Sequence, residues 1–422
     1  MEALVHWACH NRLLVAIVVV IIIIAGTVSV INLPIDAVPD VTNLQVQVIT
    51  ASPALAANEV ERFITYPVEL SMTGIPKVTE LRSISRYGIS LVTIVFEDDV
   101  DIYWARQQVG ERLASVEIPE GMGTPEMGPI STGLGEIYQY LLEYDSSARS
   151  GDSPYSVAEL MDLRTTHDWD VRRQLLKTPG VVEINSFGGH EMQYQVLVDQ
   201  ERLRSYDLTI HEVLEAVKNA SRNAGGAYIE HSGEQYVVRG EGLVESIDDL
   251  GNAVIVASKE GRPIHVDDVA EIVQGPSLRV GGVTSNGRGE VMSGIVMMLK
   301  GENSRAVASR IRERAAEIDR SLKPQGYSLK TFYDRTELVE RTIKTVATNL
   351  MEGGALVILV LVFLLGNIRG GILVASVIPL SMLFAFTPMY LLGLSGNLMS
   401  LGALDFGMVV DGAVVMVENF VR

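Results

Sequence analysis

The chain has 422 residues, 47% of them apolar, a single cysteine and a formal net charge of −18. The length exceeds one ordinary domain, and Cys9 alone excludes an intrachain disulfide or a cysteine-based zinc finger. An acidic surface repels nucleic acid and attracts cations, and any metal must be met by carboxylate, imidazole or thioether. The charge is unevenly spread. Residues 1–33 carry only Glu2 and Arg12, and residues 353–422 carry only Arg369, Arg422 and three acids. Residues 34–352 therefore hold 31 of the 34 basic and 48 of the 52 acidic side chains. An acidic, water-facing region between two apolar blocks is expected.

Leu13 to Ile31 is an uncharged run of 19 residues, close to the roughly 20 that span a bilayer. A signal peptide competes with this reading, because Arg12 precedes the run. Signal peptides, however, have an apolar core of about 7–15 residues, and no clear small-x-small cleavage site follows. A retained membrane helix is expected, ended by Asn32-Leu33-Pro34.

Leu44 to Ile49 alternates as a strand does. Asn58 to Met72 has helical spacing, with Pro67 expected to kink or shorten the helix. Val78–Arg86 and Ile89–Phe96 are expected strands joined at Tyr87-Gly88, and Asp101 to Val116 is an expected helix. Asp98, Asp99 and Asp101 crowd its start, either to collect cations or, as the favoured reading, to cap the helix. With a strand near Gly128, the order predicts a split βαβ, ferredoxin-like unit. A second unit begins at Ile137–Tyr144, continues through helix Val157–Leu176 and strand Val181–Ile184, and is then interrupted. Residues 185–277 are glycine-rich with short alternating runs (Gln235–Arg239, Ala253–Ala257), as in a small inserted domain. Strand Val291–Leu299, helix Ser304–Arg320 and strand Ser328–Tyr333 complete the interrupted unit.

From Leu338 the chain becomes apolar again. A helix at Glu340–Thr348 is expected to run into a span at Gly353–Gly366, with a tight turn at Asn367-Ile-Arg369-Gly-Gly371 and a further span at Ile372–Leu392. Pro379 and Pro388 are tolerable there. The last span, 401–419, carries Asp405, Asp411 and Glu418. An intramembrane carboxylate costs roughly 2.5–3.5 kcal/mol or more, so it points to a proton or cation pathway. At about 100° per residue, Asp411 and Glu418 share nearly one face, with Asp405 about 120° round from Asp411. Gly402, Gly407 and Gly412 leave room for a neighbouring helix. A broken or re-entrant helix, or a soluble core helix with paired acids, is the alternative. Four spans put both termini on one side, with Arg12, Arg369 and Arg422, as the positive-inside rule asks.

Several stretches together resemble the heavy-metal efflux branch of the resistance-nodulation-division superfamily of proton-driven transporters. They are Leu33-Pro-Ile-Asp36-Ala-Val-Pro39-Asp40-Val, Asp101-Ile-Tyr-Trp-Ala-Arg-Gln-Gln108-Val, Gly135-Glu136-Ile-Tyr-Gln-Tyr140, and Leu404-Asp-Phe-Gly407 through Val410-Asp-Gly-Ala413 to Glu418-Asn419. The resemblance implies a multi-pass α-helical membrane protein with a large periplasmic α+β region of ferredoxin-like porter subdomains and an inserted docking domain. On this reading residues 1–33 are the first transmembrane helix and 34–133 the first porter subdomain. Residues 134–184 with 278–335 form the second porter subdomain, 185–277 the docking insertion, and 336–422 helices two to four. It further implies an inner-membrane homotrimer, with residues 34–340 in the periplasm, assembled with a periplasmic adaptor and an outer-membrane channel. Family members have two similar halves, so this chain is expected to be the first part of a longer one.

The Asp-Phe-Gly, Asp-Gly-Ala and Glu-Asn pattern resembles the subgroup that exports divalent zinc, cobalt, cadmium or nickel. Asp405, Asp411 and Glu418 are then expected to relay protons, and no resident cofactor is expected, the metal being cargo. Zn²⁺ accepts carboxylate and imidazole. The expected metal-binding residues are Glu136, beside Gly133 and Gly135 where the backbone can bend, and the pair His167 and Asp170, three apart on one helix face. An exposed surface pair without metal is the competing reading of the last two. A membrane-anchored periplasmic sensor and an organic-solute exporter are the other functional readings. Three consecutive spans, the last bearing acids, count against the first, and an aromatic content of only 6% counts against the second.

Overall fold

The computed structural model describes residues 10–33, 41–145, 153–240, 242–257, 261–279, 281–365, 368–392 and 396. Helix α1, Arg12–Asn32, has exposed apolar side chains around most of its surface, with Gly26 and Ser29 buried. Among the described residues it is the one helix long and apolar enough to cross a membrane.

The first α/β unit begins with β1 (Gln45–Ala51) and helix α2 (57–72). It continues through β2 (Val78–Arg86), β3 (Ile89–Phe96), helix α3 (Ile102–Leu113) and β4 (Glu126–Met127). The sheet order is β2-β3-β1-β4, that of the expected split βαβ unit. β1 lies antiparallel to both neighbours, with Val48 opposite Val92 on one side and Met127 on the other. Alternation sends Val46 and Val48 inward, where they meet Val92, Ile94 and Phe96. Val68 and Met72 of α2 and Ala105 and Val109 of α3 close the core, each pair at the four-residue spacing of one helix face. The acids before α3 act structurally. Asp101 accepts hydrogen bonds from the Tyr103 and Trp104 amides as N-cap, and Asp99 pairs with Lys77 at 2.9 Å.

Helix α2 differs from a simple kinked helix. It consists of Ala57–Val60, a π-helical turn Glu61–Thr65, and Tyr66–Met72. Pro67 has no N–H and its ring crowds the carbonyl four residues back, so the chain widens just before it. The Tyr66 amide donates to Glu61, five residues earlier. The wide turn ends on Thr65, whose hydroxyl lies 2.8 Å from that of Ser85 and 2.7 Å from that of Ser90, inside the unit.

The second sheet is built from β5 (Glu136–Tyr144), β6 (Val181–Phe187), β14 (Glu290–Met298) and β15 (Tyr327–Asp334), with the short β13 (Val283–Thr284). Its order is β13-β14-β5-β15, with β6 also on β14. Numbering these strands from β5 repeats the first unit's order. Helix α4 is again interrupted: Val157–Thr166, a π-helical turn His167–Val171, then Arg172–Leu175. Helix α5, Ser304–Leu322, buries Val307, Ile311, Ala315 and Ile318, a stripe at three- and four-residue spacing.

Between β6 and β14, β7 (Met192–Val198) pairs antiparallel with β12 (Ala270–Pro276). Two further pairs lie between them, β8 (Ala224–His231) with β9 (Glu234–Gly240), and β10 (Val254–Ala257) with β11 (Pro263–His265). Leu203, Val213, Ile264, Val266 and Val269 form the local core. By contact density one compact unit holds the described residues up to Leu141, Val171–Asn185 and those from Gly294 onward; the other holds Leu142–Asp170 and Ser186–Ser293.

Helix α6, Arg335–Leu365, follows β15 without a loop and merges the two helical stretches expected at 340–348 and 353–366. Helix α7, Ile368–Leu391, starts before the expected turn has ended, so Arg369-Gly-Gly371 are helical. α7 lies along α1. A Cβ added at Gly26 would fall 2.5 Å from Leu383 Cβ and 2.7 Å from its carbonyl oxygen, so glycine is what permits this approach.

Replacing Thr65 with Val removes the hydroxyl that Ser85 and the buried Ser90 share. The expected outcome is a loss of about 1–3 kcal/mol in local protection of β2 and β3, read by native-state hydrogen exchange.

Candidate functional site

Glu136 is the first residue of β5 and follows a tight turn, Gly133–Gly135. The turn is tied down at several points. Ser131 Oγ donates to the Met298 carbonyl at 2.8 Å, the Lys300 amide to the Ile130 carbonyl at 2.9 Å, and the Gly135 amide to the Thr132 carbonyl at 2.8 Å. A side chain at Gly135 would collide with Ser131 Oγ and reach 3.1 Å from the Met298 carbonyl oxygen. Arg335 Nη1 donates to the Leu134 carbonyl at 2.8 Å. Beyond Glu136, Ile137, Tyr138 and Tyr140 are buried, and Tyr138 hydrogen-bonds Thr331 through their hydroxyls.

Glu136 itself is half-buried, and Gln139 Nε2 donates to its Oε2 at 3.2 Å. A neutral amide orients the carboxylate without cancelling its charge. Such a group offers one hard oxygen donor to a cation. No cluster of three or more His, Cys, Asp or Glu able to hold a metal occurs among the described residues.

His167 and Asp170 do not share a face. His167 is fully buried and Asp170 is exposed. The reason is the π-helical turn they occupy: its wider winding spreads residues three apart further round the axis than an α-helix does. His167 is therefore not half of an exposed pair. Its Nδ1 lies 2.9 Å from Asp168 Oδ1 and 3.2 Å from Ser186 Oγ, and the serine hydroxyl donates to the same Asp168 oxygen at 2.6 Å. Arg164 Nε reaches Asp168 Oδ2 at 2.6 Å, while its Nη1 donates to the Gly188 carbonyl at 3.0 Å.

Asp168 is thus the hub of this polar cluster, and sequence reasoning missed it. The available signal was Arg164 four residues earlier, a spacing that pairs opposite charges on a helix. Burial pushes the Asp168 carboxyl upward, but hydrogen bonds from His167, Ser186 and Arg164 outweigh it and hold the group well below the usual carboxylate range. Asp405, Asp411 and Glu418 lie outside the described residues.

Paired split βαβ sheets with an insertion, together with a long apolar helix, are the fold of a solved heavy metal efflux pump. The crystal structure of such a pump superposes in two crystal forms with TM-scores of 0.88 and 0.86, at 35% identity, over 99% of this chain and 41% of the pump's. The chain belongs to the AcrB/AcrD/AcrF family, whose model matches residues 4–422. Among curated relatives, the cation efflux system protein CzcA of Alcaligenes sp. (strain CT14) is 48% identical over the whole chain and 39% of its own length. The cobalt-zinc-cadmium resistance protein CzcA of Cupriavidus metallidurans is also 48% identical over the same shares. The nickel-cobalt-cadmium resistance protein NccA of Alcaligenes xylosoxydans xylosoxydans is 40% identical, again over the full chain and 41% of its length. The chain spans about two fifths of the length of the relatives it matches.

The depressed pKa of Asp168 sets a pH signature. Its contribution to stability is fully present above the unfolded carboxyl pKa of about 3.9 and is lost as pH falls toward the lower folded value. The stability margin between wild type and Asp168→Asn, read by thermal melts, should therefore shrink as pH falls below about 4.

Proposed function

We propose that the protein containing this chain is a proton-driven exporter of divalent heavy-metal cations, with zinc the first candidate and cobalt, cadmium and nickel next. The observation that carries this reading is the 48% identity, over the whole chain, to proteins named for cation efflux and for cobalt, zinc and cadmium resistance. The protein is a secondary transporter rather than an enzyme, and the metal is its cargo. It sits in the bacterial inner membrane, with α1, α6, α7 and the acidic segment 401–419 as spans and residues 34–340 in the periplasm. It works as a homotrimer joined to a periplasmic adaptor and an outer-membrane channel.

The chemistry divides between two places. An acidic water-facing region raises the local concentration of cations. Within it Glu136 supplies a carboxylate oxygen of the kind zinc accepts. One oriented carboxylate binds weakly enough to release its ion, and further ligands come from elsewhere in the protein. Asp405, Asp411 and Glu418 carry the proton. A carboxylate loaded from one side and emptied to the other changes its charge, and with it the packing of the glycine-bearing helix against its neighbours. Metal entering from the periplasm need never pass these acids.

Two substitutions in the full-length protein test the division. Asp411→Asn is expected to abolish zinc-dependent proton flux in proteoliposomes while zinc binding persists. Export at the normal rate in that variant would remove the relay. Glu136→Ala is expected to weaken zinc binding by about tenfold or more by calorimetry, the order of loss seen when a contributing metal-site group is removed. Unchanged affinity would reduce Glu136 to a structural residue.

A further inference from the structure

Where α6 meets the α/β body, its first turn is fastened by buried polar groups. β15 ends at Asp334 and α6 begins at Arg335, with no residue between to absorb movement. Asp334 accepts the Thr336 amide through Oδ1 at 2.8 Å and Arg312 Nε of α5 through Oδ2 at 2.6 Å. Arg335 is only 4% exposed, and its guanidinium bonds the carbonyl of Leu134 at 2.8 Å. Burying a guanidinium is costly, and an apolar side chain would fill the space without that cost. The charged group is spent instead on a backbone carbonyl two residues before Glu136.

The surroundings make that carbonyl a joint. On one side the turn is immobilised by the Ser131–Met298 hydrogen bond and by the tight packing of Gly135. On the other side a Cβ at Gly133 would meet nothing within 4 Å, so that end of the turn is open. α6 continues without a break for 31 residues, about 46 Å at 1.5 Å per residue. A rotation or axial slip anywhere along it arrives at Arg335, whose hydrogen bond to the Leu134 carbonyl passes it to the Glu136 turn.

We propose that Arg335 is a positioning residue: it links displacement of helix α6 to the aim of the Glu136 carboxylate. The proposal rests on the efflux reading and names the part that joins its two halves. Coupling of this kind is reciprocal, so metal at Glu136 must alter the start of α6 as surely as α6 alters Glu136.

The test uses the full-length protein, with Arg335→Met and the partly conservative Arg335→Lys, which keeps one donor but loses the planar fork. Zinc affinity is measured by calorimetry, zinc-dependent proton flux in proteoliposomes, and amide exchange of residues 335–340 with and without zinc. Arg335→Met should bind zinc within about threefold of wild type yet lose about tenfold or more of the flux, with Arg335→Lys recovering part of it. Zinc should change the exchange of residues 335–340 in wild type and leave it unchanged in Arg335→Met. Normal flux in Arg335→Met overturns the joint, and so does a parallel fall in affinity, flux and thermal midpoint. If Arg335→Met does not fold, wild-type exchange decides: zinc bound with residues 335–340 unmoved overturns the joint alone. Wild-type protein that binds no zinc or runs no zinc-dependent flux overturns the efflux reading, and the joint with it.

Discussion

The placement of β5 is the constraint on which the rest depends. It lies between β14 and β15 in its sheet, and Ile137, Tyr138, Tyr140 and Leu142 are all but fully buried. A strand held on both edges and packed on its faces cannot shift register without turning its apolar set outward. The strand is therefore fixed from Ile137 onward, and Glu136 stands at the end that meets the turn. Glu136 is half-exposed there, and the metal contact proposed above uses its carboxylate. The anchored turn before it and the helix start beside it are adaptations to the same fixed point.

The two α/β units repeat more than their strand order. In each, the first helix opens into a π-helical turn, Glu61–Thr65 in one and His167–Val171 in the other. In each, a side chain of that turn bonds a serine at the penultimate position of the second strand: Thr65 to Ser85, and Asp168 to Ser186. One unit fills the place with neutral hydroxyls and the other with a His–Asp–Arg network. A π-bulge costs backbone regularity, so its recurrence at the same joint points to a shared requirement: swinging one polar group onto the sheet. No residue identity advertises this repeat, because hydroxyl and carboxylate solve the same problem with different chemistry.

Much of the fold was legible in the residues. Strand alternation located β2 and β3 to the residue, since Val78–Arg86 and Ile89–Phe96 are bounded by a glycine turn and by a capping aspartate. Asp101 read as an N-cap and is one. The site was legible only in part. Glu136 stood out because glycines flank the turn before it, but the ties of that turn to Met298 and Arg335 join residues more than 160 positions apart. His167 and Asp170 were misjudged because a helical wheel assumes an unbroken α-helix, and one wide turn is enough to separate them. Asp168, the residue His167 actually meets, was passed over because Ser186, one of its partners, lies on another element.

What the sequence by itself determined was everything carried by local periodicity and composition: the apolar run of α1, the strand and helix order of both units, the acidic middle and the family motifs. These follow from nearest-neighbour physics, in which the pattern of polar and apolar side chains selects strand or helix. Only the tertiary structure decided which polar groups meet. It turned His167 inward and Asp170 outward, gave Asp168 its three partners, brought Gly26 against Leu383, and set Arg335 on the carbonyl of Leu134. Such pairings depend on the crossing of distant elements and on a one-residue change in helix winding, and neither is written in the spacing of residues along the chain.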